Sequence, residues 1–139
     1  LYRVSSRLAA LNTSPAQGAV LKDIERKLED AHERMDVLGV GSLNREFHGR
    51  IAAMGGNPFV ASWMKGLLDQ GQRVLRFYML HYGDRVPLPK LNMHRAMIAA
   101  IEKGDADGAE EAGRADAQNL IGEVLQILSE RPTTKLSLD

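Results

Sequence analysis

Cysteine is absent from the 139-residue chain, which excludes disulfides and every metal site built on thiolates. The absence is compatible with a reducing compartment, and a cytoplasmic location is the expectation. Excess charge is absent too: Lys plus Arg and Asp plus Glu number 18 each. Surfaces that hold nucleic acid or acidic membranes carry a basic excess, so neither partner is expected for this stretch by itself. No apolar run approaches the length needed to cross a bilayer, and no signal-peptide pattern opens the chain. No segment sustains the alternation of a half-buried strand. A Gly-rich phosphate loop, a Gly-x-Ser-x-Gly elbow and a His-Glu-x-x-His pair are also missing. Nothing in these patterns supports turnover, and the chain is not expected to be an enzyme.

What is present is helical periodicity, broken at short intervals by start and stop signals. Leu1, Val4, Leu8 and Leu11 form the stripe of a first helix that is already under way at Leu1, where no initiator Met stands. The chain is therefore expected to be a fragment. Ser14 as cap and Pro15 at the first helical position open a second helix to about Val37. Val20, Ile24, Leu28, Ala31 and Met35 make its inner stripe. The run from Lys22 to Arg34, Glu25 and His32 included, reads as its solvated face. Gly39-Val40-Gly41 is a break, with Ser42 capping a third helix that ends at Gly55-Gly56.

Asn57 and Pro58 start a long fourth helix to about Tyr82, carrying Val60, Trp63, Leu67, Val74 and Tyr78, with Trp63 and Met64 in the core. A loop follows over Gly83–Pro89, then a fifth helix from Lys90 to Lys103 closed by Gly104, and a sixth from Asp105 to about Ser129. The expectation is an all-α antiparallel bundle of about six helices. One domain should cover residues 1–130, with a flexible tail over 131–139.

Three polar groups interrupt the apolar stripes. His48 lies one turn after Asn44 on the flank of Leu43, Phe47, Ile51 and Met54. His94 belongs to Leu91, Ile98 and Ile101, and Asp116 to Ala109, Ala112 and Leu120. An inward carboxylate is costly unless something neutralises it. Two imidazoles and a carboxylate from three helices would do so by sharing a divalent ion such as Zn²⁺, Ni²⁺, Mn²⁺ or Fe²⁺, with Asn44 a weak further ligand. The alternative is a pair of satisfied core histidines, one of them bonded to Asp116. Arg73 on the fourth helix, if it faces inward, would clamp a carboxylate. Asn119, one turn beyond Asp116, would look into the same cavity. His81 and Arg76 are read as surface residues.

Four blocks carry a family resemblance: Asn44-x-x-Phe47-His48; Gly56-Asn57-Pro58; His94-Arg95-x-x-Ile98-x-Ala100-Ile101; and Gly104-Asp105-Ala106-x-x-Ala109. In this order the chain resembles, from residue 1 to about 125, the C-terminal ligand-sensing (FCD) domain of FadR-type regulators in the GntR transcription-factor family. The resemblance implies a helical bundle that binds a small organic acid at its centre, often beside a metal held by one Asp and three His. It also implies a homodimer, an inward arginine near Arg73, and DNA contact only through a winged helix-turn-helix domain preceding Leu1. This chain departs from the pattern, with Asn44 at the usual aspartate and Asp116 at the usual third histidine. Two other functions stay open at this point: a small metal-dependent enzyme on a helical bundle, and a structural oligomerisation module.

Overall fold

The computed structural model describes residues 1–82 and 91–129, those at 78–82, 124 and 126–128 by their backbone alone. Among the described residues the chain is an all-α bundle: α1 (Tyr2–Asn12), α2 (Pro15–Glu33), α3 (Val37–Met54), α4 (Pro58–Tyr82), α5 (Asn92–Glu102) and α6 (Ala106–Ser129). The loop over Gly83–Pro89, the start at Lys90, the tail over 131–139 and the side chains of Tyr78 and His81 lie outside the described residues.

α1 is the hub, packed against α3, α4, α5 and α6. Its buried face is Tyr2, Ser5, Ser6, Ala9 and Ala10, whereas Leu1, Val4 and Leu11 of the expected stripe are exposed. Close approach decides this. A Cβ on Gly113 of α6 would stand 2.7 Å from Ser6 Oγ and 2.9 Å from the Tyr2 carbonyl. Only small residues allow two helix backbones so near each other. The buried hydroxyls find partners, Ser5 Oγ donating to the Tyr2 carbonyl at 3.0 Å and Ser6 Oγ meeting Met97 Sδ at 3.2 Å. Hydrogen-bonded serines can therefore occupy a face from which hydrophobicity alone would exclude them.

α2 starts as expected at Ser14 and Pro15 but ends sooner, because Met35 takes φ 55°. α3 then begins at Val37, with Asp36 accepting the Gly39 N–H at 2.8 Å. Gly39-Val40-Gly41 thus lies inside a helix and Ser42 is not its cap. A Cβ on Gly41 would reach within 2.5 Å of Leu75 Cδ2, so that glycine admits α4 and does not break α3. Of the expected α2 stripe, Ile24, Leu28 and Ala31 are buried, while Val20 and Met35 are exposed.

α4 turns Val60, Met64 and Leu68 inward against α1 and α3. Trp63, expected in the core, is 63% exposed, and Leu67 and Val74 are exposed with it. The helix carries two apolar faces, and its two principal neighbours cover one of them. Asn57 accepts from the Phe59 and Val60 N–H groups, and Asp105 from that of Gly108, so those two helices start where expected. The main core joins Leu21 and Ile24 of α2, Phe47 and Ile51 of α3, Met97 and Ile101 of α5, and Ala109 and Ala112 of α6. No helix of the described residues is long and apolar enough to cross a membrane.

Candidate metal centre

Three buried side chains meet where α3, α5 and α6 converge. Phe47 and His48 are adjacent on α3 and both buried, so the helix turns a ring pair into the bundle. The Phe47 ring lies flat against His94 of α5, centroids 4.2 Å apart and planes 22° apart, and meets His48 edge-on. Tyr2 of α1 covers His48 from another side at 4.3 Å. Hydrocarbon and ring faces thus fix both imidazoles, whose centroids are 5.1 Å apart.

Asp116 of α6 enters between them. Its Oδ2 stands 3.3 Å from His48 Nε2 and its Oδ1 3.7 Å from His94 Nε2. Even at 3.3 Å, His48 Nε2 is a buried nitrogen without a hydrogen-bond partner among the described residues. One ligand atom from each of His48, His94 and Asp116 lies within 4.8 Å of the others, and all three residues are buried. A two-imidazole, one-carboxylate group of this kind could hold a divalent ion.

Electrostatics favour the ligating form of His48. Burial pushes the His48 imidazole below its ordinary range; the Asp116 carboxylate beside it pulls the other way, and nearby His94 pushes it down further. Burial likewise pushes the Tyr2 phenol well above the usual range, and Asp116 adds to the effect. Tyr2 therefore stays a neutral wall of the site. The neutral imidazole is the form that binds metal.

Behind His94 stands a residue expected in solvent. Glu25 of α2 is 5% exposed, and its Oε2 lies 3.0 Å from His94 Nδ1. A signal for this exists in the sequence, since Glu25 is four residues after Leu21 and three before Leu28, both fully buried. Membership in a charge run hides it. Tyr2 is likewise unexpected, being too near the first residue for any periodicity to register.

The remaining expected site residues are placed as follows. Asn44 is half-buried one turn before His48. Arg73 is exposed on α4, and Asn119 is exposed on α6. Neither is packed into the bundle as expected: α4 presents Met64 and Leu68 there instead, and α6 has left its buried stretch by Asn119 and Leu120.

Among protein-family models, the one described as FCD domain matches residues 3–119. No curated protein and no solved structure matches the chain.

Proposed function

The chain belongs to the FCD domain family, and from that premise we propose that it is the effector-binding module of a cytoplasmic GntR-type transcriptional regulator, sensing a small organic acid at a divalent metal. A ligand-sensing regulatory domain is the function this family suggests. The metal, the acid, a homodimer, and DNA contact through another part of the regulator are the finer reading.

One observation carries the metal: ligand atoms on three helices lie within 4.8 Å of one another, and His48 Nε2 has no hydrogen-bond partner among the described residues. In a core built only for stability, that nitrogen would be satisfied, because a buried unpaired polar atom costs about 1–3 kcal/mol. A dry structural module is disfavoured on the same ground. His48, His94 and Asp116 would hold the ion, with half-buried Asn44 one turn away as a weak fourth donor. A bound divalent ion supplies a fixed positive charge toward which an effector carboxylate is drawn.

The chain's own contribution is orientation. Phe47 and Tyr2 hold the imidazole planes, and burial keeps His48 neutral. Because the donors sit on α3, α5 and α6, whatever tightens around the centre draws those helices together. A ligand with higher affinity for the tighter arrangement shifts the population toward it. In the regulator, that shift biases how the DNA-binding parts are presented.

The test is titration of the metal-loaded and metal-stripped chain with a panel of small mono-, di- and hydroxycarboxylic acids, followed by calorimetry. Saturable heat from at least one acid, lost on stripping, is expected. If acids bind equally well with and without metal, the metal-assisted reading is wrong. If none binds in either state, the organic-acid reading falls.

A further inference from the structure

We propose that Glu25 is a positioning residue for the metal centre: from behind His94 it fixes the ring tautomer, so that Nε2 meets the ion as a bare lone pair. The inference rests on the proposed metal site and adds a residue that lies outside the four blocks carrying the family resemblance.

Glu25 reaches His94 from α2, a helix that carries none of the three ligands, and the α2–α5 packing brings the two residues together. Its Oε2 lies 3.0 Å from His94 Nδ1, while its Oε1 is buried without a hydrogen-bond partner among the described residues. A carboxylate oxygen facing Nδ1 acts as acceptor there, so in the metal-binding form of the ring, which carries one proton, that proton sits on Nδ1. Nε2 is then bare, and it is Nε2 that stands 3.7 Å from Asp116 Oδ1. Two acceptors left face to face in a buried site repel unless a cation lies between them. The other rotational freedom of the ring is removed by Phe47, stacked on its face at 4.2 Å. Ring plane and proton position are thus set by two residues that touch no ion.

A purely structural role explains Glu25 poorly. A core position between Leu21 and Leu28 would gain from an apolar side chain, and this carboxylate keeps one oxygen unsatisfied. A carboxylate hydrogen-bonded to the far nitrogen of a metal-binding histidine is a recurring device for fixing the tautomer and raising ligand basicity.

The experiment uses this chain as wild type, Glu25→Ala and Glu25→Gln. Zn²⁺ and Ni²⁺ affinities are measured by competition with a chromophoric chelator. The His94 ring nitrogens are followed by ¹⁵N NMR in metal-free protein, assigned with the help of His94→Gln. Wild-type His94 is expected to carry its proton on Nδ1, and Glu25→Ala to bind either metal about 10- to 100-fold more weakly. Glu25→Gln keeps an acceptor opposite Nδ1, so it should preserve the tautomer and recover most of the affinity.

A proton on Nε2 in the wild type would overturn the proposal, as would an Ala variant that binds as tightly as the wild type. A Gln variant as weak as the Ala variant would overturn it as well, since charge and not position would then be what matters. If Glu25→Ala does not fold, the wild-type and Gln tautomers still decide. Should the wild type bind neither metal, the proposed metal-assisted function fails on its own, while the His94 tautomer still tests Glu25 separately.

Discussion

Replacing Asp116 by Asn should act in opposite directions on the metal-free and the metal-loaded chain. Without metal, the carboxylate is buried, 3.3 Å from one imidazole nitrogen and 3.7 Å from another. Burial holds His48 toward its neutral form, so that ring does not bring a full positive charge to Asp116. An amide of the same shape removes the buried charge and brings an N–H that can donate to His48 Nε2. Exchanging an undercompensated buried charge for a neutral group that fits is often neutral or stabilising, here by about 1 kcal/mol at most. In a domain of this size that raises Tm by roughly 3–5 °C.

With metal the order reverses. At a free ion concentration 100 times the wild-type Kd, binding stabilises the wild type by about 2.7 kcal/mol, a rise of roughly 10 °C. If losing the charged ligand weakens binding about 100-fold, the variant gains only about 0.4 kcal/mol at that concentration. Thermal melts of chelator-stripped samples with and without Zn²⁺ or Ni²⁺ read both effects. A metal-free D116N destabilised by about 3 kcal/mol or more, the cost of breaking a buried ion pair, would refute the reasoning. So would equal metal-induced rises in the two proteins.

Other consequences follow from the packing and from His48. Gly113→Ala should destabilise by about 1–3 kcal/mol, because the new Cβ meets the Tyr2 carbonyl and Ser6; Gly49→Ala, with nothing within 4 Å of its Cβ, should stabilise by about 0.5–1 kcal/mol. Denaturant titration of the pair checks both, and the same sign for both would undo the account of helix approach. Trp63→Ala should change stability by no more than about 0.5 kcal/mol, since the indole is exposed; a loss of about 3 kcal/mol, typical of a core tryptophan, would put that ring in an interior. Because burial lowers the His48 pKa from its ordinary 6.5, the unfolded chain takes up that proton first as pH falls. Metal-free stability from His48 is therefore full above about pH 6.5 and is lost as pH drops below it. Melts across this window should show a smaller loss in His48→Gln, and an equal loss would remove His48 as a source.

Much of the architecture is legible in the sequence because helix ends are local chemistry. Ser14-Pro15, Asn57-Pro58 and Asp105 act where they stand, and no tertiary partner is needed to read them. The triad is legible for a related reason: His48, His94 and Asp116 each interrupt an apolar period on their own helix. What is not legible depends on neighbours. Which face of α1 is buried is settled by how closely α6 approaches, and that favours Ser5 and Ser6 over Val4. Which face of α4 is buried is settled by how few helices cover it. The boundary between α2 and α3 turns on a single left-handed residue, Met35, of a type that rarely adopts that conformation. Glu25 looks like one more surface charge because its partner, His94, lies 69 residues away.

Native mass spectrometry of the gently purified chain, paired with elemental analysis, tests the metal centre most directly. One divalent ion per wild-type chain is expected, retained through buffer exchange and lost in a variant with His48 and His94 both changed to Ala. A wild type that carries no ion, and gains none when Zn²⁺, Ni²⁺, Mn²⁺ or Fe²⁺ is supplied, would contradict it.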